Sequence, residues 1–217
     1  MASINSVSSA YRPQAPSMVK PVTATTQVKS VAAGGSVSAN GNLQDNLNSL
    51  SSIGRLGNAA HVAIKGGAEG LSSGQGLLNS LKGFDLSGAF SSAKALGQTA
   101  LGWGTKSAGI QGAMSLVVNG YRAFTKKISV AEAGSRVVGD TASGFVGGVA
   151  GTAAAAIGTA ALGMIGLSGG LLTLGGAAVG MAGFFLGEKF FKETDLYKNL
   201  KSKVKSVLDY GFKPLGA

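Results

Sequence analysis

The feature that most constrains the fold is a run of 47 residues, from Thr141 to Gly187, that contains no charged residue. An α-helix rises about 1.5 Å per residue, so about 20 residues cross a hydrocarbon core of about 30 Å. The run is therefore long enough to cross a bilayer twice. The strongest turn pattern lies near its middle, and it predicts a helical hairpin whose turn is formed by Gly166, Ser168, Gly169 and Gly170.

Small residues recur at intervals of four within this run, for example at Gly144 and Gly148. Residues at this spacing share one face of a helix and leave a groove for a second backbone. Close packing of small residues is a main source of helix association in lipid. Because one hairpin contact cannot use every groove, the pattern favours a homo-oligomer. The residues predicted to pack between helices are Gly144, Gly147, Gly148, Gly151, Gly158, Gly176, Gly180, Gly183 and Gly187.

The first half of the hairpin is only weakly hydrophobic. It has six strongly apolar residues, which contribute about −2 to −4 kcal/mol to insertion. Glycine, serine and threonine residues offset part of this gain, so insertion of the first span alone is marginal. The alternative is a soluble protein in which the run forms a buried Ala/Gly helical core, covered by the flanking helices.

Basic residues flank the hairpin on both sides. The chain carries a net charge of +10 although only 13% of its residues are charged, which favours an anionic partner. The positive-inside rule places both ends in the cytoplasm of a cell that inserts the protein itself. No nucleic-acid-binding module is recognisable, so lipid headgroups explain the charge better than DNA or RNA. The predicted anionic lipid contacts are Lys126, Lys127, Arg136, Lys189, Lys192, Lys198, Lys201, Lys203 and Lys205.

Composition divides the chain into four parts, and the predicted fold class is all-α. Residues 1–41 predict a disordered tail, with a targeting leader as the alternative. Residues 42–136 predict short amphipathic helices interrupted by glycines. Residues 137–187 hold the hairpin, and residues 188–217 predict a basic amphipathic helix suited to an interface. The best apolar face in the second part consists of Ile110, Met114, Val117, Val118 and Tyr121.

The chain offers few groups for catalysis or metal binding. It has no cysteine and one histidine, His61, which excludes thiolate zinc sites and cysteine nucleophiles. Its nine acidic residues are scattered, without an obvious catalytic pair. We therefore expect no enzymatic activity, no cofactor, no metal ion and no small-molecule substrate.

Between Gly144 and Gly187 the chain resembles bacterial glycine-zipper proteins, whose Ala/Gly-rich hairpins associate in membranes. An uncharged hairpin among more polar helices is also similar in layout to that of pore-forming colicins. The first resemblance implies a membrane hairpin that self-associates or scaffolds partners. The second implies a secreted or injected protein that inserts into a target membrane, and a soluble structural or assembly protein is the third possibility.

Overall fold

The computed structural model describes residues 43–211, and this part of the chain is helical without strands, which confirms the all-α class. The predicted tail, residues 1–41, lies outside the described residues, as do residues 212–217. A five-residue π-helical segment, Val62–Gly66, joins the first two helices. The α-helices are α1 Leu43–His61, α2 Gly67–Lys82, α3 Leu86–Phe124, α4 Val130–Met164, α5 Gly169–Glu193 and α6 Asp195–Gly211.

Polar side chains cap the starts of two helices, α3 and α4. The Asp85 side chain accepts a hydrogen bond from the backbone N–H of Gly88 at the start of α3 (2.9 Å). Ser129 does the same for the N–H of Glu132 at the start of α4 (3.0 Å). Such caps satisfy N–H groups that have no partner within the helix.

The turn between α4 and α5 depends on glycine. Gly166 and Gly169 have φ angles of +93° and +60°. Residues with a Cβ atom rarely adopt such angles, whereas glycine adopts them readily. The predicted turn residues Gly166, Ser168 and Gly169 lie at this turn, and Gly170 is the second residue of α5. The structure thus divides the uncharged run into two antiparallel helices.

The prediction of short helices between residues 42 and 136 is wrong in helix length. α3 alone has 39 residues, and α1 continues through the π-helical segment into α2 without a break. Each glycine lowers helix propensity by about 1 kcal/mol relative to alanine. Several of these glycines, Gly66, Gly70 and Gly74 among them, lie directly against α4. Tertiary packing therefore stabilises helices that would be weak in isolation.

The boundaries around the hairpin also differ from the prediction. α4 begins at Val130, seven residues before the predicted hairpin, so Arg136 and Asp140 belong to its first turns. The predicted C-terminal helix from residue 188 is divided, because residues 188–193 complete α5. Thr194 has an extended conformation and separates α5 from α6.

α4 is the central helix and contacts each of the other helices. α3 and α5 run antiparallel to it, α2 and the π-helical segment pack along another side, and α6 lies against its N-terminal part. The core beside α4 consists largely of small side chains. Ala155, Ala156 and Ala160 are at most 1% exposed, and Phe184 is the largest fully buried side chain.

The bundle has two chemically different ends. Gly70 lies beside both Leu96 of α3 and Ala156 of α4, and from this level α2, α3 and α4 run to the turns at residues 83–85 and 165–168. Large apolar side chains are exposed at and around both turns, and we call these two turns together the apolar end. The exposed side chains are Phe84, Leu86, Phe90, Ile165, Leu171 and Leu174. The opposite end holds the α3–α4 turn and α6, and we call it the basic end.

Candidate functional site

Two described helices, α4 and α5, are long and apolar enough to cross a membrane. The core helix of a soluble protein meets the same two criteria, so burial has to be considered as well. Within its most apolar stretch α4 is 39% buried, whereas α5 is 22% buried. α5 is therefore the helix whose apolar surface is more open to the surroundings.

On α5, small residues and Phe184 face the bundle, and most of the other large apolar residues face outward. Gly176, Ala177 and Gly180 are buried against α4 and the π-helical segment. Leu171 and Leu174 are each 69% exposed. An amphipathic helix of a water-soluble protein has the opposite arrangement, with its large apolar side chains turned to the core. Small residues inside and large apolar residues outside are typical of helices that pack in lipid.

In the C-terminal half of α3, polar side chains face the interior of the bundle. Ser107, Gln111, Ser115 and Asn119 recur every four residues, so they form one stripe, and all are buried. Of the apolar face predicted on this helix, Val118 is buried, Met114 and Tyr121 are partly buried, and Ile110 and Val117 are exposed. The outward face of α3 also exposes Leu101, Leu116 and Phe124.

The structure places all nine predicted packing glycines against another helix of the same chain. Gly144 and Gly148 face α3, and the other seven lie in the contact between α4 and α5. At Gly180 an added Cβ would lie 2.6 Å from the Cβ of Ala155 and 2.7 Å from the Cβ of Ala63. The grooves that favoured a homo-oligomer are thus filled within one chain, and they do not require a second copy.

Glu188 lies 3% exposed at the point where α1, α3, α4 and α5 meet. Its carboxylate accepts hydrogen bonds from the Arg55 guanidinium (2.5 Å), from the Gln111 amide and from the Lys192 ammonium (3.4 Å). A buried carboxylate is stable only when such partners replace water. The bonds therefore tie α1 and α3 to the C-terminal end of α5.

Further polar contacts lie on both sides of Gln111 along the buried stripe of α3. Asn58 donates to the Ser107 hydroxyl (2.8 Å), and the Ser115 hydroxyl donates to the Asp140 carboxylate (2.6 Å). The Asn119 amide donates to the carbonyl oxygen and to the hydroxyl oxygen of Ser115. Its own Oδ1 is buried and has no partner.

A polar cavity of 380 Å³ opens at the basic end, where α1, α3, α4 and α6 meet. Arg122, Arg136 and Lys201 contribute three positive charges to its wall, and Asp140 contributes one negative charge. Tyr197 also lines it, and burial together with the nearby Asp140 carboxylate raises the pKa of its hydroxyl. The hydroxyl therefore stays protonated at neutral pH. The cavity can accept a small, polar, anionic group.

The predicted lipid-contact residues all lie at the basic end or at the C-terminal end of α5. Lys126, Lys127, Lys189, Lys198 and Lys203 are exposed. The other four are partly buried, and three of these form ion pairs, namely Arg136 with Glu132, Lys192 with Glu188 and Lys205 with Asp209. Arg136 and Lys201, which are distant in sequence, come together in the wall of the cavity.

Sequence reasoning did not identify Arg55, Gln111, Asp140 or Glu188 as members of a site. The four-residue spacing from Ser107 to Asn119 marks one helical face and could have revealed the polar stripe. No comparable pattern could have revealed Glu188, whose partners lie 133 and 77 residues away along the chain. In comparisons with protein-family models, curated proteins and solved structures, nothing matches this chain.

Proposed function

We propose that this chain is a non-enzymatic membrane protein whose α4–α5 hairpin lies in a bilayer and serves to self-associate or to hold partners there. The observation that carries the proposal is the arrangement of α5, with small residues and Phe184 against α4 and most of the other large apolar residues outward. In water, this outward surface would remain exposed at a cost of about 25 cal/mol per Å². In a bilayer it contacts acyl chains.

The packing of α4 removes a difficulty of the sequence-based prediction. The first span was only marginally able to insert alone, but in the bundle α2, α3 and α5 surround it. Its small residues contact other helices, so few of them need to face acyl chains. Insertion of the hairpin together with its neighbours requires less hydrophobicity from α4 itself.

The inward polar stripe of α3 fits the same proposal. Polar side chains in membrane bundles face the interior and bond to one another, because lipid offers them no partners. Ser107, Gln111 and Ser115 face inward and each bonds to a side chain of another helix. Leu116 and Val117, the exposed neighbours of Ser115, are apolar. Lys106, beside Ser107, is exposed and lies over the Trp103 ring.

A soluble structural or assembly protein is the second candidate, and the burial of α4 favours it. Ala155, Ala156 and Ala160 form a closed core that needs no lipid around it. In this alternative the outward face of α5 would be covered by another protein or by a second copy. The two candidate functions predict different effects of a charged residue on the outward face of α5.

Ala178→Lys separates the two candidates. Ala178 is exposed and lies near the middle of the uncharged stretch of α5, so a lysine there is compatible with the fold in water. At the bilayer centre the lysine costs about 2.5–3.5 kcal/mol, which lowers partitioning into neutral vesicles about 100-fold. Co-flotation of the purified chain with neutral vesicles measures this change.

Ser206→Lys is the matched control, because it adds the same side chain at an exposed position of α6. We expect it to leave flotation with neutral vesicles unchanged. Equal behaviour of both variants, with no vesicle association of the wild-type chain, would refute membrane insertion and support the soluble alternative. Release of dye from vesicles on addition of the purified chain would instead indicate the pore-forming alternative.

A further inference from the structure

We propose that the cavity at the basic end is a binding site for a phosphate ester that also carries a free hydroxyl group, such as a glycerol phosphate. The cavity measures 380 Å³ and is formed by side chains from α1, α3, α4 and α6. This volume lies at the lower end of the range found for small-ligand pockets, about 300–1,000 Å³. It admits a headgroup-sized ligand.

The charges of the wall select an anion. Arg122, Arg136 and Lys201 outweigh the single carboxylate of Asp140, so the lining has a net charge of +2. Arg136 is paired with Glu132 at 2.8 Å. Among the described residues, Arg122 and Lys201 have no carboxylate within ion-pair distance. Arg122 donates to the neutral Asn48 (2.5 Å), and Lys201 lies over the Tyr197 ring. Both cations therefore have bonding capacity left for phosphate oxygens.

The hydrogen-bond acceptors of the cavity wall favour a ligand that also donates a hydrogen bond. Asn119 lines the cavity and is 4% exposed, yet its Oδ1 has no hydrogen-bond partner. A buried acceptor without a partner is costly, and a ligand hydroxyl would satisfy it once the amide turns toward the cavity. The Asp140 carboxylate is a second acceptor in the same wall. A fully deprotonated anion such as sulfate offers neither group a donor.

A phosphate ester with a hydroxyl could come from two sources. One is a soluble metabolite such as glycerol 3-phosphate, and the other is the headgroup of an anionic phospholipid such as phosphatidylglycerol. The shared chemistry is a phosphate beside Arg122 and Lys201 and a hydroxyl beside Asn119. The site does not depend on hairpin insertion, because it lies on the basic end outside the uncharged run.

Titration calorimetry of the full chain in non-ionic detergent micelles tests the site with three soluble probes and two lipid probes. The soluble probes are glycerol 3-phosphate, sulfate and neutral glycerol. The lipid probes are short-chain phosphatidylglycerol and short-chain phosphatidylserine, which have the same net charge but differ in the hydroxyl groups. We expect glycerol 3-phosphate to bind more tightly than sulfate, and phosphatidylglycerol more tightly than phosphatidylserine.

Arg122→Gln and Lys201→Gln each remove one positive charge from the cavity, and each should weaken binding about tenfold. Lys203→Gln is the matched control, since it removes the same charge from an exposed position two residues along α6. It should change the affinity less than twofold. Far-ultraviolet circular dichroism of each variant shows whether the helices remain intact.

The pattern of binding identifies the source of the ligand. Cavity-dependent binding of glycerol 3-phosphate supports the site with a soluble ester as ligand, and cavity-dependent binding of phosphatidylglycerol alone supports it with a lipid headgroup. Equal weakening by Lys201→Gln and Lys203→Gln would reveal a diffuse basic surface and overturn the proposal. Failure of both glycerol 3-phosphate and phosphatidylglycerol to bind would also overturn it. The flotation of the chain with vesicles would not be affected by that result.

Discussion

At the scale of single residues, Glu188 has the most demanding environment. It is the one charged side chain that is fully buried in the described part of the chain. Three donors from α1, α3 and α5 surround its carboxylate. Because Arg55 is partly exposed, loss of the carboxylate would leave Gln111 as the main unpaired group in the core.

Glu188→Ala should therefore destabilise the bundle strongly. Hydrogen bonds to a charged group contribute about 1.5–3 kcal/mol each, and we expect the free energy of unfolding to fall by about 3 kcal/mol. Chemical denaturation in non-ionic detergent, followed by circular dichroism, measures the change. Glu193→Ala is the control, because Glu193 is exposed at the last position of α5 and its loss should change stability by less than about 0.5 kcal/mol. Similar losses for both variants would contradict a structural role for the buried carboxylate.

At the scale of helices, the glycines fall into two classes that sequence does not separate. Some lie where another backbone approaches, as Gly180 does beside Ala63 and Ala155. Others, such as Gly109 on the outer face of α3, have open space around the position of an added Cβ. The first class stabilises packing, and the second only lowers helix propensity.

Substitution by alanine should have opposite signs in the two classes. Gly180→Ala would place a methyl group 2.6–3.0 Å from atoms of Ala155 and Ala63, and overpacking of this kind costs about 1–3 kcal/mol. Gly109→Ala should stabilise the protein by about 1 kcal/mol, because alanine favours the helix and meets no neighbour. The midpoint of thermal unfolding of each variant measures the change in stability. Equal shifts for the two variants would contradict the division of the glycines into two classes.

α6 is the helix most loosely attached to the bundle. None of its residues is fully buried, and it lies against the N-terminal part of α4 through Tyr197, Lys201 and Leu208. Helices with little buried area open locally at low free energy. α4, by contrast, is held on several sides.

Hydrogen–deuterium exchange should reveal this difference within one molecule. We expect the amides of α6 to exchange well before those of residues 143–160 in α4, which serve as the internal reference. Exchange at the same rate in both helices would mean that the bundle opens as one cooperative unit. The cavity at the basic end would then be more rigid than the burial of α6 indicates.

At the scale of the whole described bundle, most of the predicted lipid-contact lysines lie at one end, while large apolar side chains are exposed along its length. The apolar end exposes large side chains at both turns, whereas the basic end carries Lys126, Lys127 and the lysines of α6. Basic residues close to an anionic membrane surface contribute about 1 kcal/mol each. This contribution depends on salt, while burial of apolar side chains in acyl chains does not.

Vesicle association should therefore have a salt-sensitive part and a salt-insensitive part. At low salt we expect stronger flotation with anionic vesicles than with neutral ones, and at about 0.5 M salt the two should become similar. Neutral vesicles, whose flotation salt should leave unchanged, are the control. Complete loss of association with anionic vesicles at high salt would indicate surface binding without insertion.

The sequence alone determined the helical class, the hairpin and the position of its turn. These features depend on local properties, namely the absence of charge from Thr141 to Gly187 and the glycines at Gly166 and Gly169, whose positive φ angles the structure shows. Spacing of four residues also identified glycines that lie between helices. Periodicity and turn chemistry act over a few residues, so they can be read without knowledge of the fold.

Only the tertiary structure decided the length of α3, the partners of each glycine and the polar groups of the interior. α3 persists for 39 residues because neighbouring helices compensate for its glycines. The contacts of Glu188 with Arg55 and Gln111, and the meeting of Arg122, Arg136 and Lys201, join residues that are far apart in the chain. Such contacts follow from how whole helices pack, because the burial of a side chain depends on every helix around it.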